Sequence, residues 1–137
     1  MAGSLTITPI GAVRRTSEAK SVLEIEAAYR RGLDGIEAGD RVEVFYWMHE
    51  LTAGDRRRLR VHPRGDKTTP LRGVFGLRSP MRPNPIGATL VEVVRVEGTS
   101  LTVTGLDALD GSPVLDLKAP RRLEEGKVPG GRGQAAL

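Results

Sequence analysis

The stretch RGVFGLRSPMRPNPIG, Arg72 to Gly87, constrains this chain more than any other. Pro80, Pro83 and Pro85 each fix their own φ and drive the residue before them (Ser79, Arg82 and Asn84) out of the helical region. The segment is therefore expected to be a stiff, extended loop. Arg72, Arg78 and Arg82 run through it. Guanidinium groups on a stiff support suit an anion or a planar ligand, because little ordering entropy opposes binding. On composition alone a second reading stands beside this one, a structural loop whose prolines merely stop edge pairing.

The rest of the chain reads as short strands on either side of that loop. Leu5, Ile7 and Pro9–Val13 point to a first strand ending in a polar turn over Arg14–Lys20, and Val22–Ala27 alternates as a half-buried strand. Gly32 and Gly35 limit Tyr29–Ile36 to a short helical turn. Arg41–His49 is the clearest strand: Val42, Val44, Tyr46 and Met48 share one face, and Glu43, Phe45, Trp47 and His49 the other. Beyond the loop, Ala88–Glu97 and Ser100–Leu106 form a hairpin turning at Gly98, with a bulge or burial on both faces where Leu90 to Val96 fails to alternate. Asp110-Gly111 marks a turn, and Val114–Lys118 restarts a strand. Six or so short strands with little helix predict a mainly β, small single-domain β-barrel. It is expected to occupy residues 1–120, with 121–137 as a flexible C-terminal tail.

Charge is unevenly placed. Between Arg56 and Arg82 nine Lys/Arg stand against Asp66 alone, a local +8 in a chain of net +4, so the remainder carries −4. A basic block on a mildly acidic body points to an anionic partner, nucleic acid being the usual one. The chain has no cysteine and two histidines, so disulfides and thiolate metal sites are excluded and no metal centre is expected. No apolar run approaches the roughly 18 residues of a membrane span and no signal pattern opens the chain, so no membrane association and a cytoplasmic location are expected.

The common catalytic templates are missing: no GxSxG, Walker loop or HExxH, and no GxGxxG opening a helix. Three candidate features remain. His49 and Glu50 sit where the clearest strand meets a loop; a histidine there is a structural hydrogen-bonder or a catalytic group. Arg78 to Asn84 is the proline loop. Asp107 either makes a local turn bond or holds ligand hydroxyls or an ammonium, whereas Asp110 reads as turn chemistry. His62, in VHPRGD, has no role legible in the sequence.

GVFGLRSPMRPNPIG, followed about twenty residues later by GLDALDGSPVLDLK, resembles the signature of the TsaA-like, or TrmO-like, family. The similarity runs from about Ile7 through Lys118, and RVHPRGD (60–66) resembles its shorter members. The resemblance implies a small β-barrel that binds S-adenosylmethionine, pairs as a homodimer and N-methylates threonylcarbamoyladenosine beside the tRNA anticodon. Carried over by position, the cofactor contacts fall on His49, Glu50, Arg78, Leu90, Leu106, Asp107, Ala108 and Leu109. Arg64, Arg72, Arg82 and Asn84 are left as substrate-binding candidates, and His49 or Glu50 as the candidate base. Longer members continue past the barrel, and their Pro-Gly-Leu contact has no counterpart between Arg14 and Ser21. That departure keeps two alternatives open: methylation of another small molecule, or a non-catalytic S-adenosylmethionine-binding module.

Overall fold

The computed structural model describes residues 3–121. Six antiparallel strands close on themselves in the order β1 (Gly11–Arg15), β2 (Lys20–Ile25), β7 (Ser100–Thr104), β6 (Ile86–Glu97), β3 (Arg41–Trp47) and β8 (Pro113–Lys118). A separate two-stranded ribbon, β4 (Arg60–Val61) with β5 (Arg72–Gly73), stands beside the barrel. Among the described residues, helix is confined to the single turn α1 (Ala53–Arg56) and to three 3₁₀ segments. The barrel reading of the sequence holds.

Alternation does the folding. Val13, Leu23, Val42, Val44, Val91, Val93, Leu101, Val103 and Val114 all turn inward and are buried. Most outward residues between them are polar or partly exposed, buried Val22 being an exception, as a closed sheet filled by side chains requires. Closure leaves no free edge among these six strands, so their backbone groups are paired around the ring.

The expected hairpin turns at Gly98, whose φ of 61° is left-handed. Of the two expectations for the broken alternation the bulge is the one found, between Val93 and Arg95, and it pushes Val94 outward. Several boundaries differ. Leu5 and Ile7 lie outside the first strand and are exposed; pairing begins at Gly11, where a Cβ would stand 2.2 Å from the Glu24 carbonyl oxygen. Strand β3 stops at Trp47, before His49, because the amide of Met48 turns to the Pro85 carbonyl at 2.8 Å. Strand β6 starts at Ile86 rather than Ala88, and β7 ends at Thr104, before Leu106. The expected flexible tail lies outside the described residues, save Arg121.

Candidate functional site

The register of β3 on β6 builds the site. Tyr46 faces Gly87 and Trp47 faces Ile86 across the ladder. Gly87 is needed there: a Cβ would come within 2.3 Å of the Tyr46 ring. The missing side chain lets the phenol lie over β6 and reach the rim of the barrel. Its hydroxyl donates to Asp107 Oδ1 at 2.8 Å, and the Thr89 hydroxyl donates to the same oxygen at 2.7 Å.

These contacts set the charge state of the rim. Burial pushes the Asp107 carboxyl up, but the Thr89 and Tyr46 hydroxyls, its own backbone N–H and the Arg78 charge outweigh burial and hold it below the ordinary carboxylate value. Burial also pushes the Tyr46 phenol up, the Thr89 hydroxyl opposes it, and the Asp107 hydrogen bond and charge add to it; the net position lies above the usual phenol value. Asp107 is thus an anion and Tyr46 a neutral donor near neutral pH.

Around this pair lies a cavity of about 700 Å³, inside the roughly 300–1,000 Å³ usual for small-molecule sites. Met48, Leu77, Ile86, Ala108 and Leu109 supply apolar wall, and Glu50, Arg78, Arg82 and Asp107 supply charge. A carboxylate and a guanidinium facing one apolar cavity fit a ligand with an amphoteric end and a flat or apolar body.

The sequence candidates divide. Glu50, Arg78, Arg82, Asp107, Ala108 and Leu109 come together on the cavity wall. His49 is not on the wall; its Nε2 lies 3.9 Å from the carboxylate of Glu50, which is, and 3.8 Å from where a Cβ on Gly111 would be. Leu90 and Leu106 are not on the wall; Leu106 is a buried core residue whose carbonyl accepts from Arg15 at 3.1 Å. Arg64, Arg72 and Asn84 are exposed and lie off the cavity. Arg82 is committed to its own loop: Nη2 donates to the Val74 carbonyl and, at 2.9 Å, to that of Leu77. His62 finds a structural partner, its Nδ1 lying 2.8 Å from the Thr69 carbonyl.

Three contributors were not singled out from sequence. Tyr46 and Thr89 hold Asp107. Arg15, the last residue of β1, donates to the carbonyls of Leu106 and Ala108, and its amide donates to Asp110 Oδ1 at 2.8 Å, so β1 fixes the 106–110 turn. For Tyr46 a signal existed: a hydroxyl on an otherwise apolar inward face needs a partner. Arg15 gave none, because its acceptors are backbone atoms 91 and 93 residues away.

A closed β-barrel whose rim joins an ionised carboxylate, a guanidinium and an apolar pocket has the geometry of a small-molecule site on a non-Rossmann fold. Residues 7–120 match the family described as the tRNA-methyltransferase O N-terminal domain, and the chain belongs to that family. A probable S-adenosyl-L-methionine-binding protein of Methanocaldococcus jannaschii is 40% identical over 113 residues, 82% of this chain and 89% of the relative. An S-adenosyl-L-methionine-binding protein of Archaeoglobus fulgidus is 49% identical over 104 residues, 76% of this chain and 71% of the relative. The crystal structure of TrmO from Pseudomonas aeruginosa shares the fold, with a TM-score of 0.68 and 24% identity over 99% of this chain. This chain spans 63% of that one.

Proposed function

We propose that this protein binds S-adenosylmethionine in the rim cavity and transfers its methyl group to tRNA, at the exocyclic nitrogen of threonylcarbamoyladenosine beside the anticodon. The observation that carries the reading is the Asp107–Arg78 pair facing one apolar cavity in a chain of this family. The amphoteric end of the cofactor matches the pair, Arg78 taking a carboxylate and Asp107 an ammonium or hydroxyls. Ala108, Leu109 and Leu77 offer apolar contact to a flat base.

The bound cofactor supplies an electrophilic methyl on sulfur. The chain's own task is to hold the acceptor nitrogen in line with it and to exclude water. A carbamoyl-bearing nitrogen is weakly basic, so a proton acceptor helps. Glu50 lines the cavity and is the better placed of the two candidate bases, with His49 behind its carboxylate. No group of three or more metal-ligating side chains gathers among the described residues, and methyl transfer from a sulfonium requires none.

The basic block supports an RNA partner. Arg60 lies opposite Gly73 and Val61 opposite Arg72 on the β4–β5 ribbon, and Arg64 and Arg72 are exposed there for phosphate contacts. The exposed apolar side chains Leu59, Leu71 and Phe75 in the same region support pairing as a homodimer. No helix among the described residues is long and apolar enough to cross a membrane. We place the reaction in the cytoplasm, where tRNA is modified.

The test is a mass spectrum of tRNA nucleosides from a strain lacking this protein and from the same strain complemented with it. Methylated threonylcarbamoyladenosine should vanish and return. Full methylation without the protein contradicts the tRNA assignment. Binding of S-adenosylmethionine with no salt-dependent affinity for tRNA would instead favour a small-molecule acceptor or a non-catalytic binding module.

A further inference from the structure

The cavity contains one arrangement that the functional reading does not use. Both hydroxyl donors near Asp107 converge on a single oxygen: Tyr46 and Thr89 each donate to Oδ1, from β3 and β6 respectively, and neither donates to Oδ2. Two short bonds to one oxygen fix both the position and the rotation of the carboxylate. Tyr46 reaches that point only because Gly87 opposite it has no side chain, a contact in which any Cβ would overlap the ring. Tyr46 is 5% exposed and belongs to the buried barrel core, opposite Val114 on β8, so its hydroxyl is carried on a rigid support.

We propose that Tyr46, assisted by Thr89, is a positioning residue for the cofactor: it occupies one oxygen of Asp107 and turns the other to a hydrogen-bond donor on the ligand. This rests on the S-adenosylmethionine reading above and assigns to it a residue on the cavity wall that acts through Asp107. The chemistry is that of a preset acceptor. An aspartate free to rotate would spend part of its binding free energy on ordering, whereas one held on Oδ1 meets the ligand already aligned. The arrangement also keeps the acceptor ionised, since a carboxylate that receives two hydroxyl bonds resists protonation.

The test is calorimetric titration of the full chain with S-adenosylmethionine, repeated at several pH values, for the wild type, Tyr46→Phe, Asp107→Asn and the double variant. Tyr46→Phe keeps the ring in its Gly87 seat and removes only the hydroxyl. Affinity is expected to fall about three- to tenfold near neutral pH. The pH at which binding is lost on acidification should move upward, because the ionised state of Asp107 loses a donor. The other charged or titratable groups near Asp107 are Arg78 and Arg82 from the proline loop, Glu50 on the same wall with His49 beside it, Arg15 of β1 on the carbonyls of Leu106 and Ala108, and Asp110 along the turn. Asp107→Asn controls for them: in that background Tyr46→Phe should leave the pH profile unmoved and add less than its effect alone.

Thr89→Val removes the second hydroxyl without touching the tyrosine seat; it should weaken binding in the same direction, and it stands in should Tyr46→Phe fail to fold. A wild-type affinity and pH profile in both hydroxyl variants, with the wild type binding normally, overturns the positioning role and leaves the cofactor reading standing. Full additivity of Tyr46→Phe and Asp107→Asn overturns it as well. A wild type that binds no S-adenosylmethionine at any pH overturns the cofactor reading and this role with it.

Discussion

At the scale of single residues, Asp107 and Gly87 are the positions where a small change is expected to disturb the cavity most. Asp107→Asn keeps the shape and removes the charge; affinity for S-adenosylmethionine is expected to fall about 10- to 100-fold by calorimetry, the usual effect of removing one partner of a charged hydrogen bond. Gly87→Ala should do more damage than its size implies, because the new methyl must displace the Tyr46 ring. We expect a lower unfolding midpoint together with weaker cofactor binding; an unchanged midpoint would mean the ring has somewhere else to go. Part of this was legible in the sequence. The run Leu106–Leu109 and Arg78 were found there through the family signature, and the structure puts Arg78, Asp107, Ala108 and Leu109 on one wall. The Tyr46–Gly87 fit was not, because it depends on a cross-strand register that joins residues 41 positions apart.

The proline loop, at the scale of the element, is held by arginines as much as by prolines. Arg56 of α1 lies over the Trp47 ring, 5.2 Å from its centroid, and its Nε donates to the Pro83 carbonyl at 3.0 Å. Arg82 bonds the Val74 and Leu77 carbonyls and Arg78 that of Ala88. Stiffness was readable from Pro80, Pro83 and Pro85; the staples were not, since a guanidinium in a sequence looks the same whether it will bind a phosphate or a carbonyl. Arg56→Ala is therefore expected to loosen the loop and weaken cofactor binding several-fold, with little loss of barrel stability. Faster amide exchange confined to the loop would support this, and unchanged loop exchange would count against it. Hairpin and bulge were legible because glycine and broken alternation are local signals.

The molecule as a whole is a closed ring around aliphatic side chains, and its stability should respond accordingly. Leu101 is fully buried, so Leu101→Ala should cost about 2–5 kcal/mol by denaturant unfolding. Acid should also weaken the fold. Asp107 is depressed as described, and Asp55 and Asp66 are held down by hydrogen bonds from Thr52 and Thr68. A carboxylate depressed in the folded state stabilises it above the unfolded value near pH 4 and loses that contribution as pH falls through the lower folded value. The barrel class followed from strand patterning alone, whereas closure through β1 and β8, the first and last strands of the ring, is a long-range pairing that no local pattern encodes.

Calorimetric titration of the wild type and Arg78→Ala with S-adenosylmethionine decides whether the rim cavity is the cofactor site. One saturable site per chain, weakened about 10- to 100-fold in the variant, is the result the rim cavity predicts. No saturable binding by the wild type, or equal binding by both, would contradict it.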